Sequence, residues 1–311
     1  MKQRLLTAGL MLLILVGVFT ARALSLFVFD VFVVALCVIA GYESSKLFSK
    51  MGLYNNNFVV MLYPSLAYLV FMLTYKLSVL YVVAFQILLL IFLFVVAFLL
   101  SIVLKNNSEN EIKTRNLKVS KNKFAFNKAL HSVFSMVYPS LLILILVPIN
   151  HFSKLFTSVN VDALYTISTF ALILAFALPI LTDTFAMLVG YLFKGKKLCP
   201  KISPKKTVSG AVGGVVLTVL VTACLFMVLN ATVTFSSAFS AIGLELWHIL
   251  ILATVSSVVC QIGDIFESLL KRKADVKDSG KILPGHGGVL DRFDSHAFNE
   301  ILILLFFIIL I

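Results

Sequence analysis

The chain has 311 residues, of which 60% are hydrophobic and 13% charged, whereas a water-soluble domain carries roughly 45–50% apolar and about 25% charged residues. A soluble globular protein is excluded, because the polar residues that would cover its surface are missing and the apolar surplus belongs against lipid. Lys and Arg number 26 against 14 Asp and Glu, a net charge of +12, and on a membrane protein such an excess sits in cytoplasmic loops.

A bilayer span takes about 20 apolar residues. In chain order, candidate windows fall near 5–21, 24–42, 58–75, 78–104, 129–149, 161–193, 210–230, 244–265 and 296–311, which makes nine. The first, with basic Lys2 and Arg4 before it and Ala21-Arg22-Ala23 after it, superficially matches a cleavable signal peptide. Arg22 within the small-residue site and the apolar run that follows favour a retained helix instead. The Lys- and Asn-rich stretch 105–128 reads as a solvated cytoplasmic loop, continuing as an interfacial helix around Phe124 and Phe126. The 161–193 window is too long for one straight span, and Pro179 followed by Asp183 predicts a break or a partly cytosolic second half. Asp183 is itself a functional candidate, being ionisable at membrane depth. Gly210, Gly213 and Gly214 open the next span and suit close helix packing. Cys37, Cys199, Cys224 and Cys260 are scattered, which supports neither a disulfide framework nor a zinc site. His131, His151, His248 and His296 read as interfacial or packing residues.

The loops test this map. The N-terminus, the loop after the second span, and segments 105–128, 194–206 and 271–292 together hold 23 of the 26 basic residues, leaving Arg22, Lys76 and Lys154 to the opposite side. The expected fold is therefore an all-α integral membrane protein of about nine transmembrane helices, with a cytoplasmic N-terminus and a polar active site on that side of the cell membrane. Residues 1–128 form N-terminal helices with a basic loop, and 129–311 a catalytic transmembrane region.

Seven of the 14 acidic residues lie between Asp264 and Glu300, together with the chain's one Gly-rich turn. Gly285, Gly287 and Gly288 around His286 can turn several backbone N–H groups into an anion-binding concavity. Lys271, Arg272, Lys277, Lys281 and Arg292 can neutralise a polyphosphate. Asp264, Asp278, Asp291 and Asp294 supply the hard oxygens that Mg²⁺ takes alongside substrate phosphates. A basic segment that only held anionic lipid would explain the lysines, but neither the Gly-His-Gly-Gly turn nor four aspartates.

These residues carry a resemblance. Ser268, Lys271-Arg272, Lys277-Asp278, Pro284, His286-Gly287-Gly288 and Asp291-Arg292-Phe293-Asp294 resemble the signature of phosphatidate cytidylyltransferases (CDP-diacylglycerol synthases), and a pattern spread over 268–294 is far more specific than a lone Gly-rich motif. Gly263-Asp264, Glu267, Asp183, Ser203-Pro204-Lys205-Lys206-Thr207 and Gly210 are similar to the family upstream, as are Arg4 to Ala8 and Glu43. Val208-Ser209 stands where the family often has Trp-Glu, Met187 where an aromatic residue is common, and Lys194-Gly195-Lys196 replaces a Gly-Lys-His order.

The resemblance implies transfer of CMP from CTP to phosphatidate, giving CDP-diacylglycerol and pyrophosphate, in a membrane-embedded homodimer whose partners are CTP and lipid, with no nucleic acid. It implies a di-cation centre, Mg²⁺ with a second cation such as K⁺, on Asp264, Asp291 and Asp294, with Asp278 next to them. It further implies that Lys277, His286, Gly285, Gly287, Gly288 and Arg292 hold CTP phosphates, that Lys271 and Arg272 assist pyrophosphate departure, and that Ser203, Lys205, Lys206 and Thr207 receive the phosphatidate headgroup or share in CTP binding. A transporter would place its binding groups near mid-membrane on broken helices, and the complete signature argues against a CTP-dependent polyprenol kinase or an enzyme of archaeal lipids.

Overall fold

The computed structural model describes residues 2–103, 120–285 and 287–311. His286 and most of the basic 105–128 stretch lie outside the described residues. Among the described residues, ten helices carry the architecture: α1 (Lys2–Leu24), α2 (Leu26–Lys50), α3 (Asn57–Thr74), α4 (Val79–Val103), α5 (Lys121–Ser135), α6 (Val161–Phe193), α7 (Val208–Asn230), α8 (Val233–Ala241), α9 (Leu246–Lys273) and α10 (Leu290–Leu310). Between α5 and α6 run the short helical pieces Met136–Leu141, Leu142–Leu144, Leu146–Asn150 and Phe152–Leu155. Among the described residues the strands are β1 (Lys197–Cys199) and β2 (Ser203–Thr207), an antiparallel hairpin pairing Lys197 with Thr207 and Cys199 with Ser203.

Among the described residues, eight helical stretches, counting Lys121–Asn150 as one, are long and apolar enough to cross a membrane, and Gly9–Leu24 is a shorter apolar helix. The chain is an all-α membrane protein. Side-chain exposure supports this, since Leu80, Leu88, Ile91 and Phe92 on α4 are all more than half exposed, an arrangement water would penalise and lipid would not.

The chain folds into two compact units, each assembled from three stretches. The first comprises Met1–Ala21, Val31–Leu144 and Lys273–Asp291, and the second Arg22–Asp30, Ile145–Arg272 and Arg292–Ile311. In the first, α3 packs on α4 and α5, around buried Val33, Tyr63, Leu93 and Met136. The window expected as one span at 129–149 is interrupted here: Tyr138 takes an extended conformation (φ −112°, ψ 117°) before Pro139, which has no N–H to continue the helical ladder.

In the second unit, α6 packs along α7 and α8 over an aromatic core in which Phe170 and Phe226 lie 4.8 and 5.0 Å from Phe239, centroid to centroid. The expected break at Pro179 is absent. Proline deprives the carbonyl four residues back, that of Ala175, of its helical donor, and in this structure that carbonyl meets His296 Nδ1 at 3.2 Å and Asn299 Nδ2 at 3.4 Å. Side chains of α10 thus take over the lost bond, as neighbouring helices do for prolines in membranes, and α6 runs on unbroken for 33 residues. At about 1.5 Å per residue it measures about 50 Å, well beyond a hydrocarbon core of about 30 Å.

The glycines of α7 do what their spacing suggests. A Cβ at Gly210 would stand 2.5 Å from the carbonyl oxygen of Ala186, and one at Gly214 would stand 3.1 Å from that of Thr182, so α6 and α7 touch backbone to backbone. The same unit holds a buried polar network with no counterpart in the motifs. Arg22 donates to Asn150 Oδ1 (2.6 Å), Ser168 Oγ (2.7 Å) and Thr169 Oγ1 (2.8 Å), and Asp30 accepts from Asn150 Nδ2 and pairs with His151 Nε2, both at 2.8 Å. Arg22, Asp30 and His151 are thus buried anchors.

Candidate active site

Within the second unit, three helices and the hairpin bring the polar residues together. At the end of α6, Lys194 takes the left-handed conformation (φ 42°) that closes the helix and turns the chain into β1. Thr207 ends β2 and caps α7, its Oγ1 accepting from Gly210 N at 3.1 Å. The Arg272 guanidinium, at the end of α9, donates to the carbonyl of Ile202 at 3.1 Å and holds the hairpin turn. These elements bound a cavity of about 760 Å³ whose lining includes the polar Asp183, Lys194, Lys197, Ser203, Lys205, Lys206, Thr207, Gln261 and Asp264 and also Ala186, Met187, Tyr191, Leu198 and Ala211. Met187 and Tyr191 are largely exposed.

Asp264 on α9 is half-buried, with the Lys206 ammonium 2.5 Å from its Oδ2 and the Ser268 hydroxyl 3.4 Å from its Oδ1. Gly263 beside it has no room for a side chain, since a Cβ there would stand 2.6 Å from the carbonyl oxygen of Asp294. That absence of bulk brings α9 onto α10 where the two aspartates lie. The Ser295 hydroxyl stands 2.7 Å from Asp183 Oδ2, 112 positions away in sequence, and 3.1 Å from Asp294 Oδ1, joining carboxylates from two helices. Asp183 feels the negative charges of Asp264 and Asp294 and the positive charge of Lys206. Lys271 lies 3.4 Å from Glu267, one turn back on α9.

Within the first unit, the Gly-rich segment is a tight loop. Gly285 (φ 76°) and Gly287 (φ 87°) adopt the left-handed backbone open to glycine, and Leu283 N donates to Gly287 O at 2.9 Å. Asp291 is buried and accepts from Ser279 N (3.0 and 3.1 Å to its two oxygens) and from Gly288 N (2.7 Å). Lys277, Asp278, Lys281 and Gly285 are exposed, and in the second unit so is Arg292. Two anchors of this loop escaped the motif reading as contacts, although both residues lie in stretches that resemble the family. Thr7 Oγ1 donates to Pro284 O at 2.9 Å, and Glu43 Oε2 accepts from Leu290 N at 2.8 Å.

The donor chemistry suits a hard divalent cation, since Asp183 and Asp294 share the Ser295 hydroxyl and Asp264 lies within electrostatic reach of Asp183, carboxylate oxygens being what such a cation takes. Among the described residues no three His, Cys, Asp or Glu side chains converge closely enough to enclose a metal by themselves. A cation held here would complete its shell with substrate phosphates and water, the usual habit of Mg²⁺.

A profile described as "Cytidylyltransferase family" matches residues 2–310. The chain belongs to the cytidylyltransferase family. Among curated relatives of this cytidylyltransferase, the phosphatidate cytidylyltransferase of Rickettsia conorii is 38% identical over 179 residues, covering 55% of this chain and 72% of the relative. That of Rickettsia prowazekii is 39% identical over 166 residues, 52% of this chain and 68% of the relative. That of Staphylococcus saprophyticus is 38% identical over 180 residues, 58% and 59% of the two chains.

Proposed function

We propose that the chain is a phosphatidate cytidylyltransferase of phospholipid biosynthesis. A phosphate oxygen of phosphatidate bonds to the α-phosphorus of CTP, the bond from that phosphorus to the β-phosphate oxygen breaks, and CDP-diacylglycerol and pyrophosphate result. The observation that carries this reading is the cavity in which Lys206 of the hairpin pairs with Asp264 and whose lining combines Asp183 and further lysines with the apolar Ala186, Met187 and Leu198. The attacking oxygen is already anionic, so catalysis rests on alignment and charge neutralisation rather than on covalent work.

Ser203, Lys205, Lys206 and Thr207 receive the headgroup phosphate or share in holding CTP, with the lysines countering the charge that two phosphates bring together. Arg272 keeps the hairpin in place from α9, and Lys271 neutralises departing pyrophosphate. Lys277, Arg292 and the loop of Gly285, His286, Gly287 and Gly288 hold CTP phosphates. Asp264 and Asp294 are the carboxylates assigned to Mg²⁺, with Asp183 tied to Asp294 through Ser295. Asp291 belongs to the assigned set as well, and Asp278 follows it in that assignment. When bound, Mg²⁺, with a second cation such as K⁺, supplies charge neutralisation at the attacking and leaving oxygens. The cytoplasmic orientation of this site and a homodimeric assembly complete the proposal.

Purified protein in detergent, given CTP, phosphatidate and Mg²⁺, is expected to form CDP-diacylglycerol identified by mass, and to stop when EDTA is added. Absence of that product with every phosphatidate tried contradicts the reading.

A further inference from the structure

Glu43 lies on α2, far in sequence from the signature, yet it sits against the Gly-rich loop of the first unit. It is 2% exposed, and its carboxylate accepts from the backbone N–H of Leu290 at 2.8 Å. The loop has no side chain where it passes this carboxylate: a Cβ built on either Gly280 or Gly288 would collide with the Glu43 carboxylate oxygens. Glu43 Oε1 is buried without a hydrogen-bond partner among the described residues. Burying a carboxylate with an oxygen unmet is costly, and water-exposed alternatives would not carry that cost.

Two carboxylates divide the amides of this segment between them. Asp291 takes Ser279 and Gly288, and Glu43 takes Leu290. The loop is therefore shaped by anions of the protein itself before any substrate phosphate arrives, and Thr7 fixes its Pro284 carbonyl. We propose that Glu43 is a positioning residue for CTP, setting the backbone at Gly280, Gly288 and Leu290 through its carboxylate, with glycine at 280 and 288 because that carboxylate fills the space a side chain would need. The inference rests on the reading that this loop holds CTP phosphates. Glu43 touches no reacting atom, and its effect falls on CTP rather than on lipid.

The experiment compares Glu43→Ala, Glu43→Gln, Gly288→Ala and the double variant Glu43→Ala/Gly288→Ala, measuring KM for CTP and for phosphatidate separately. Losing a charged acceptor for a backbone N–H is expected to raise the KM for CTP about tenfold or more in Glu43→Ala, while the KM for phosphatidate changes less than about twofold. Glu43→Gln keeps an acceptor oxygen and regains much of the loss. Gly288→Ala alone raises the KM for CTP comparably, but adding it to Glu43→Ala costs less than about threefold more, because the clashing carboxylate is gone. A readout independent of turnover is tryptic cleavage after Lys277 and Lys281, both exposed, which is expected to be faster in Glu43→Ala than in the parent protein. Parallel rises in both KM values, an undiminished cost of Gly288→Ala in the Glu43→Ala background, or unchanged cleavage in the folded Glu43→Ala protein overturns the proposal. Failure of the parent protein to form CDP-diacylglycerol falls instead on the functional reading.

Discussion

Lys205 and Lys206 are adjacent on β2, yet Lys205 is exposed in the cavity wall while Lys206 is half-buried against Asp264. A charge-assisted bond to phosphate contributes about 1.5–3 kcal/mol, so Lys205→Ala should raise the KM for phosphatidate roughly 10- to 100-fold with little change in kcat. Lys206→Ala also leaves Asp264 without its counter-charge and should lower kcat as well. Steady-state kinetics with each substrate varied in turn checks both, and a loss confined to kcat in Lys205→Ala would move that residue from binding to catalysis. At this scale, residues within the signature were legible because their spacing is fixed by chemistry. Ser295 was not, since a serine one place past Asp294 gains meaning only when α6 brings Asp183 to it, and Glu43 was legible as similar to the family but not as a contact 247 positions from Leu290.

Helices announced themselves by apolar length, and their interruptions did not. Both Pro139 and Pro179 lie in apolar windows, and the same missing N–H breaks one helix and not the other. The difference is tertiary: His296 and Asn299 reach the carbonyl that Pro179 leaves open, which no local rule could anticipate. The hairpin was equally hidden, because Lys197 to Thr207 shows none of the alternation that marks a strand, and its shape depends on Arg272 and the cap at Thr207. The packing of α6 on α7 makes a direct prediction. Gly210→Ala places a methyl against backbone rather than against a yielding side chain, and overpacking of that kind costs about 1–3 kcal/mol. The thermal midpoint in detergent should fall, whereas Gly17→Ala, with nothing within 4 Å of the new Cβ, should leave it unchanged. Equal midpoints for the two variants would mean that the helices separate freely.

For the molecule as a whole, charge arithmetic reads an orientation that distances cannot. With 23 of 26 basic residues in one set of loops, the hairpin should face the cytoplasm. A cysteine in place of exposed Lys201, in protein whose four native cysteines are replaced by alanine, is expected to react with an impermeant maleimide only in inside-out vesicles. Reaction in right-side-out vesicles would reverse the topology. What composition could not convey is that each compact unit gathers distant stretches of chain, so residues of the signature are held by partners from near the N-terminus. The most direct test of the central claim is the fate of the phosphates of CTP. Cytidylyl transfer sends label from the α-phosphate into lipid and label from the γ-phosphate into pyrophosphate, so the account predicts a radioactive lipid from α-labelled CTP and none from γ-labelled CTP. Lipid labelled from the γ-position would mean phosphoryl transfer by a kinase and would contradict it.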